Sequence, residues 1–304
     1  MSLADFCIPQ NLAWREISCS AYHYLKETLS GNVEKTVFHY QIPFSKQDEA
    51  VYLAKYGLDN SERMGFYQNL VRCIQRNVDA VDYLRSHEVS SILTFSEVEQ
   101  VRDENGVFHF YLESDRVYPI LHQQLGSTEI SAITAIDIIY RLSLIFRDIN
   151  KYGMIHRGLD LQKVYLTADN KILLGGFYYA SFPGTNTLTD YMPHTPPYLP
   201  KTLRNGGVGS QSSDIQSLSV FAWNLFSGGA YDLGFDPTYL VRPEYAPQQI
   251  VDTLLLGIRC RDSECNAFRR QWLNARKEVS KTAFAEQKLP LPKQVLIEFV
   301  VNCD

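Results

Sequence analysis

Two long helical patterns divide this chain into two parts of different character. Apolar residues recur at intervals of three to four between Phe66 and Leu84, and again between Ile130 and Phe146, which is typical of amphipathic helices. Strand-forming runs surround the first pattern, whereas two short strand patterns and then mostly helical ones follow the second. This order predicts a smaller part with a sheet and one helix, followed by a larger helical part.

Turn and cap signals place the remaining elements. Gly153 is expected to end the second long helix in a left-handed conformation. The Asp-Glu-Asn-Gly sequence at 103–106 predicts a hairpin turn between flanking strands. The predicted strands are 14–18, 22–27, 36–42, 92–95, 108–112, 164–166 and 171–174, the later helices are 214–226, 247–260 and 267–279, and a hinge is predicted near 113–120.

Composition is that of an ordinary globular protein. Of the 304 residues, 45% are apolar and 21% are charged, which excludes disordered and fibrous chains. The net charge of −5 provides no basic field for nucleic acid or anionic lipid. Apolar stretches are too short to span a bilayer, and the first ten residues have no signal-peptide pattern. We therefore expect no nucleic-acid partner, no membrane partner and a cytoplasmic location.

Cysteine and histidine usage gives no metal-binding pattern. None of the six cysteines forms a CxxC pair, and the seven histidines are scattered without ligand spacing. We expect reduced thiols and no metal site.

Four motifs in the second part resemble those of protein kinases. Residues 152–166 are similar to the catalytic loop H-R-D-L-x-x-x-N. Residues 171–177 end in Gly-Gly-Phe, where a kinase has the D-F-G turn. Residues 195–201 resemble the end of an activation segment, and 213–229 resemble the buried helix that begins with an aspartate. The order and spacing of these motifs resemble the protein kinase superfamily over about residues 14–280. The stretches 42–45, 65–71 and 83–87 also resemble certain bacterial Ser/Thr kinases.

The resemblance implies an α+β, two-lobed fold. A small N-terminal β-sheet lobe with one long helix, about residues 12–113, would precede a larger, mostly helical C-terminal lobe, about 121–280. Together they would form a kinase-like domain at 12–280, followed by a C-terminal extension at 281–304. The apolar segment 295–301 in this extension could add to the sheet of the small lobe or dock on a partner.

The resemblance also indicates which catalytic groups are missing. A kinase needs a strand lysine, a helix glutamate, a catalytic aspartate, and an asparagine and an aspartate that bind metal. In that order, the matching positions here are Phe38, Asn77, Gly158, Lys163 and Gly175. The glycine loop is replaced by 18–21, which has no glycine, and Lys201 replaces the final glutamate of the activation segment. Mg²⁺ requires oxygen ligands, so we expect no catalytic residue, no metal, no cofactor and no nucleotide binding.

The retained motif residues are predicted to be structural. His156 and Arg157 resemble anchors of the catalytic loop, and Asp214 is expected both to cap its helix and to hold the backbone of that loop. Asp160 is rejected as a displaced base, because a shift of two residues moves a carboxylate too far for catalysis. The aromatic residues at 177–179 and 182 are expected either to pack in the core or to form a binding surface.

These observations predict a catalytically inactive pseudokinase that acts as a protein-binding or regulatory module for an unidentified protein partner. The alternative is a divergent kinase-fold enzyme that transfers a phosphoryl or other group from a nucleotide bound in an unusual pose. The two differ in what fills the cleft. In the first, the aromatic ring of Phe38 is buried against the long helix and Phe177, and so occludes the place of a nucleotide.

Overall fold

The computed structural model describes 14–16, 21–27, 33–42, 63–102, 108–115, 117–119, 129–159, 163–167, 171–184, 198–200, 203, 208–227 and 246–290. These residues form a mixed α+β structure with antiparallel sheets. The largest sheet has five strands in the order β1-β2-β3-β5-β4. Its strands are β1 Trp14–Glu16, β2 Ala21–Glu27, β3 Val33–Ile42, β4 Glu97–Arg102 and β5 Phe108–Asp115.

Two smaller sheets join distant parts of the chain. One has the order β6-β8-β9, with β6 Val117–Pro119, β8 Val164–Thr167 and β9 Ile172–Leu174. The other pairs β7, Glu129–Ser131, with β10, Lys288–Pro290. The predicted hinge at 113–120 is therefore partly a strand, because the backbone of β6 is paired with β8.

Five α-helices lie within the described ranges. The first is α1, Arg63–Ser86, between β3 and β4, and the second is α2, Ala132–Lys151. The others are α3 Gln211–Ser227, α4 Gln248–Ile258 and α5 Cys265–Val279, with short 3₁₀ helices at Asp262–Glu264 and Ala283–Glu286. None of the helices in the described ranges is both long and apolar enough to cross a bilayer.

Most predicted elements are present, with shifted ends. The second long helix ends before Gly153, whose φ of 75° confirms the predicted left-handed position. The predicted hairpin is formed by β4 and β5. The strand predicted at 92–95 is wrong: Ile92 makes one parallel bridge to Leu174, and the next regular strand begins at Glu97. Two backbone hydrogen bonds hold this segment against β9, from the N–H of Leu93 to the carbonyl of Leu174 and from the N–H of Leu174 to the carbonyl of Ser91.

The buried core is continuous from the large sheet to the later helices. It includes residues of β3, β5, α1, α2, α3, α4 and α5. The segment 283–290, in the predicted C-terminal extension, also packs on it through Ala285 and Leu289. The backbone N–H of Ala132, at the start of α2, donates to the carbonyl of Gln287. The elements that flank the candidate site therefore share one packed interior.

Candidate functional site

The loop at 154–159, directly after α2, is the centre of the candidate site. All six of its residues are buried. Arg157 has a φ of 58°, which is uncommon for a residue other than glycine. Such a backbone persists only where surrounding contacts hold it.

Asp214 supplies those contacts from α3. Its carboxylate accepts hydrogen bonds from the backbone N–H groups of His156 and Arg157, both at 3.0 Å. It also accepts one from Nδ2 of Asn150 at 3.1 Å. Burial raises the pKa of Asp214, and these hydrogen bonds oppose the rise. The predicted contact with the loop is therefore present.

The prediction that Asp214 caps its helix is wrong. The helix begins at Gln211, one turn earlier, so Asp214 lies inside the first turn. The N–H groups of its first turn have acceptors other than Asp214: the N–H of Ser212 donates to Oδ1 of Asp262 at 2.9 Å, and the N–H of Ser213 donates to the carbonyl of Ser210.

His156 is a buried histidine whose ring makes hydrogen bonds to the backbone. Its Nδ1 accepts from the N–H of Gly158 at 3.2 Å, so its Nε2 is the atom that donates to the carbonyl of Gly175 at 3.0 Å. The ring packs edge-on against Phe177, with centroids 4.7 Å apart. Burial lowers the pKa of His156 to about 4, so the imidazole is neutral at pH 7. It joins the 154–159 loop to the Gly-Gly-Phe turn.

Arg157 holds the other side of the loop. Its Nε donates to the carbonyl of Tyr179 at 2.7 Å. Burial, and next the positive charge of Arg76, lower the pKa of Arg157 to about 10, while Asp214 opposes this. The guanidinium thus fixes the segment after the turn to the loop.

Phe38 lies on β3, opposite Leu112 on β5, and is 2% exposed. The predicted burial is confirmed. Its ring packs edge-on against Phe95 and Tyr165, with centroids 6.2 and 5.9 Å away. The predicted stacking on Phe177 is wrong, because the ring of Phe177 packs against His156 instead.

Asn77 connects α1 to the Gly-Gly-Phe turn at 175–177. We had expected Phe38 to contact both of these elements. Its Oδ1 accepts a hydrogen bond from the N–H of Phe177 at 2.8 Å, and Asn77 is buried. The position therefore carries a neutral amide that holds the turn by its backbone.

Gly158, Gly175 and Gly176 lie where side chains have little room. A Cβ atom at Gly175 would lie 2.9 Å from Cε2 of Tyr165 and 3.0 Å from Cδ2 of Leu93. At Gly158 it would lie 3.2 Å from Cδ2 of Tyr179. Gly176 has a φ of 77°, and its face is covered by the alkyl chain of Lys163.

Lys163 directly precedes β8 and is buried. Its Nζ lies 5.0 Å from the centroid of the Tyr178 ring, within the range of a cation–π contact. Burial lowers the pKa of Lys163 to about 7. The side chain thus occupies the space beside Gly176 and carries a charge that varies near neutral pH.

The aromatic residues at 177–179 pack in the core, which was one of the two alternatives expected for them, and Phe182 is half-buried.

Sequence reasoning missed Leu93, Phe95 and Tyr165, which enclose Phe38 and Gly175. Their only signal was an apolar run at 92–95 and a tyrosine in a short strand. Asp160, Lys201, the segment 295–301 and most of 18–21 lie outside the described residues.

Chemically, the described residues of the site join loops and helices by hydrogen bonds and pack aromatic rings. Within the described ranges, no three His, Cys, Asp or Glu side chains are arranged to hold a metal ion. No protein-family model matches the chain, and no curated protein matches it.

Proposed function

We propose that this chain is a pseudokinase: a two-lobed, protein-kinase-like domain without phosphoryl-transfer activity that acts through contacts with a protein partner. The order of its elements supports this proposal, since a five-stranded sheet with one long helix precedes a mainly helical part. The motif order 156–159, 175–177 and 214 in the sequence supports it as well.

The crowding around Gly175 is the observation that carries the proposal. In a kinase this position would hold a metal-binding aspartate. Here even one added carbon meets Tyr165 at 2.9 Å and Leu93 at 3.0 Å. Tyr165 also packs on Phe38, at the position matched to the strand lysine. Under this proposal, the aromatic packing of Tyr165 lies at both positions that are matched to groups required for phosphoryl transfer.

The remaining contacts favour a structural role for the residues that resemble the kinase catalytic loop. His156 is neutral and bonded to the backbone on both ring nitrogens, and Asp214 is fully used in holding the loop. These contacts stabilise the fold without any residue that binds phosphate or metal. We expect such an arrangement in a binding or regulatory module.

A second candidate is a divergent transferase that binds a nucleotide in an unusual pose. One observation favours it: burial brings the pKa of Lys163 to about 7, where an amine can exchange a proton. Its alkyl chain lies against Gly176 and its Nζ lies against Tyr178.

A thermal-shift panel separates these candidates. The purified chain is heated with ATP, ADP and GTP, each alone and with Mg²⁺ or Mn²⁺. We expect no change in Tm, whereas a ligand at 100 times its Kd would stabilise the native state by about 2.7 kcal/mol. The destabilised Asp214→Ala variant, run without nucleotide, checks that the assay detects changes of this size. A saturable, metal-dependent rise in Tm would contradict the pseudokinase proposal and favour the transferase.

A further inference from the structure

An open cavity of about 380 Å³ lies between helices α2 and α5. The side chains that line it lie three or four residues apart along each helix, so each helix contributes one face. They are Tyr140, Leu144 and Arg147 from α2, and Asn266, Arg269, Arg270 and Leu273 from α5. The cavity therefore combines three guanidinium groups with aliphatic and aromatic walls.

Contacts between the helices hold the cavity in shape. Nε of Arg269 donates to the carbonyl of Ser143 at 3.0 Å, and Nε1 of Trp272 donates to the carbonyl of Ile136 at 3.1 Å. Further along, Arg276 forms an ion pair with Asp137. Because these contacts exist without a ligand, little rearrangement is needed for binding.

Arg269 is the buried group of the cavity. It is 7% exposed, and its Nη1 donates to Oδ1 of Asn266 at 3.0 Å. Its Nη2 is buried and has no hydrogen-bond partner among the described residues. Buried polar groups in native proteins are nearly always paired, so an anion that reached Nη2 from the cavity would satisfy a donor that the described residues leave unpaired.

The charges around the cavity favour an anion. Arg147 pairs with Asp148 at 2.7 Å, which offsets one of the three positive charges. Burial lowers the pKa of Arg269; Cys265 opposes this, the positive charge of Arg147 adds to it, and Cys260 and Asp148 also oppose it. The lining residues include no carboxylate. Two positive charges therefore remain unbalanced in one small space.

We propose that this cavity binds a small organic phosphate monoester. A phosphate dianion matches the two unbalanced positive charges, and its oxygens suit the planar fork of a guanidinium, as at Arg269. Tyr140, Leu144 and Leu273 supply apolar walls for the organic part of the ester. This site is separate from the loop at 154–159 and does not depend on the proposed function.

Phenyl phosphate is a suitable probe, measured by isothermal titration calorimetry at low salt. Three comparison ligands each lack one feature of phenyl phosphate: inorganic phosphate lacks the apolar part, phenol lacks the anionic group, and benzoate lacks the second negative charge. We expect saturable binding of phenyl phosphate that weakens with salt, with each comparison bound at least about tenfold more weakly, or 1.4 kcal/mol. No saturable binding of phenyl phosphate, or equal or tighter binding of any comparison, would overturn the proposal.

Variants at exposed positions test the location of the site without disturbing the core. Arg147→Gln and Arg270→Gln should each weaken phenyl phosphate binding by about three- to tenfold, as expected for losing a hydrogen bond to a charged group at the surface. Arg141→Gln is the matched control, since Arg141 is exposed on α2 but does not line the cavity. Equal weakening in all three variants would show that phenyl phosphate is attracted nonspecifically by surface positive charge, and would overturn the proposed location of the site.

A third variant tests the buried guanidinium. Arg269→Lys retains the positive charge but loses the fork, so we expect weaker binding of phenyl phosphate with the folded state retained, as checked by circular dichroism. If Arg269→Lys is folded and binds as tightly as the unmodified chain, the assignment of Arg269 is wrong. If it does not fold, the two exposed variants decide the proposal.

Discussion

At the scale of single residues, the site is explained by packing and backbone hydrogen bonds. Phe38 fills space between β3 and two other rings, and Asn77 holds the turn through the N–H of Phe177. Gly158 and Gly175 are the residues that fit where neighbouring side chains leave no room. Each of these four positions differs from the kinase pattern, and each has a physical reason in its surroundings.

Phe38→Ala should destabilise the native state by about 3–5 kcal/mol, because it empties a buried aromatic site. Phe38→Lys should be worse, since it buries a charge in an apolar surrounding. Denaturant unfolding followed by circular dichroism measures both. Val98→Ala, at a side chain that is 46% exposed in the same sheet, is the control and should change the free energy of unfolding little. A small effect of Phe38→Ala would contradict the packing of the ring.

Asp214→Ala should also be strongly destabilising, because it leaves two backbone N–H groups and the Asn150 amide without their acceptor. Each such buried donor costs about 1–3 kcal/mol. Asp214→Asn keeps one acceptor oxygen and should lose less. If both variants unfold at the same denaturant concentration as the unmodified chain, the carboxylate does not hold the loop in solution.

Lys163 should make stability depend on pH. Burial lowers its pKa from 10.5 to about 7, so between these values the unfolded chain binds more protons than the native one. The free energy of unfolding should therefore rise with pH from 7 towards 10, and the contribution levels off below pH 7. Lys163→Met removes this dependence. The stability gained by that variant should be largest at pH 7 and shrink towards pH 10, and a constant difference would contradict the lowered pKa.

At the scale of elements, close helix contacts constrain the sequence more than helix propensity does. Gly257 lies in the last turn of α4, where glycine is about 1 kcal/mol less favourable than alanine. An added Cβ there would lie 1.9 Å from Oγ of Ser219 on α3 and 2.5 Å from Cε2 of Phe268 on α5. Glycine therefore lets three helices approach one another.

Gly257→Ala should thus destabilise the chain by about 1–3 kcal/mol or more, through overpacking, despite the better helix propensity of alanine. Thermal unfolding gives the comparison. Gln249→Ala, at an exposed position of the same helix, should be neutral or slightly stabilising. A rise in Tm for Gly257→Ala would mean that the three helices do not pack this closely.

At the scale of the whole molecule, the last described segment, 283–290, packs against regions that are distant in the sequence. Strand β10 pairs with β7, and Phe284 stacks on Phe226, with ring centroids 6.3 Å apart. Leu289 is 4% exposed. These contacts make 283–290 part of the main core, although the sequence was divided at 280.

Leu289→Glu should therefore lower Tm clearly, because it places a carboxylate in an apolar site without a partner of opposite charge. Lys288→Glu is the matched control, since the neighbouring side chain is exposed. Equal Tm values for the two variants would show that 283–290 is an extension that does not contribute to the core.

The sequence by itself determined the order and type of most elements, because the period of apolar residues is a local property of each segment. The resemblance of its motifs to those of protein kinases further predicted that Phe38 would be buried and that Asp214 would contact the loop at 154–159. Only the tertiary structure decided which rings surround Phe38, where α3 begins and how 92–95 is held. These features depend on contacts between residues far apart in the chain, such as Phe38 with Tyr165 and Ile92 with Leu174. The cavity between α2 and α5 is of the same kind, because its three arginines come together only when the two helices pack.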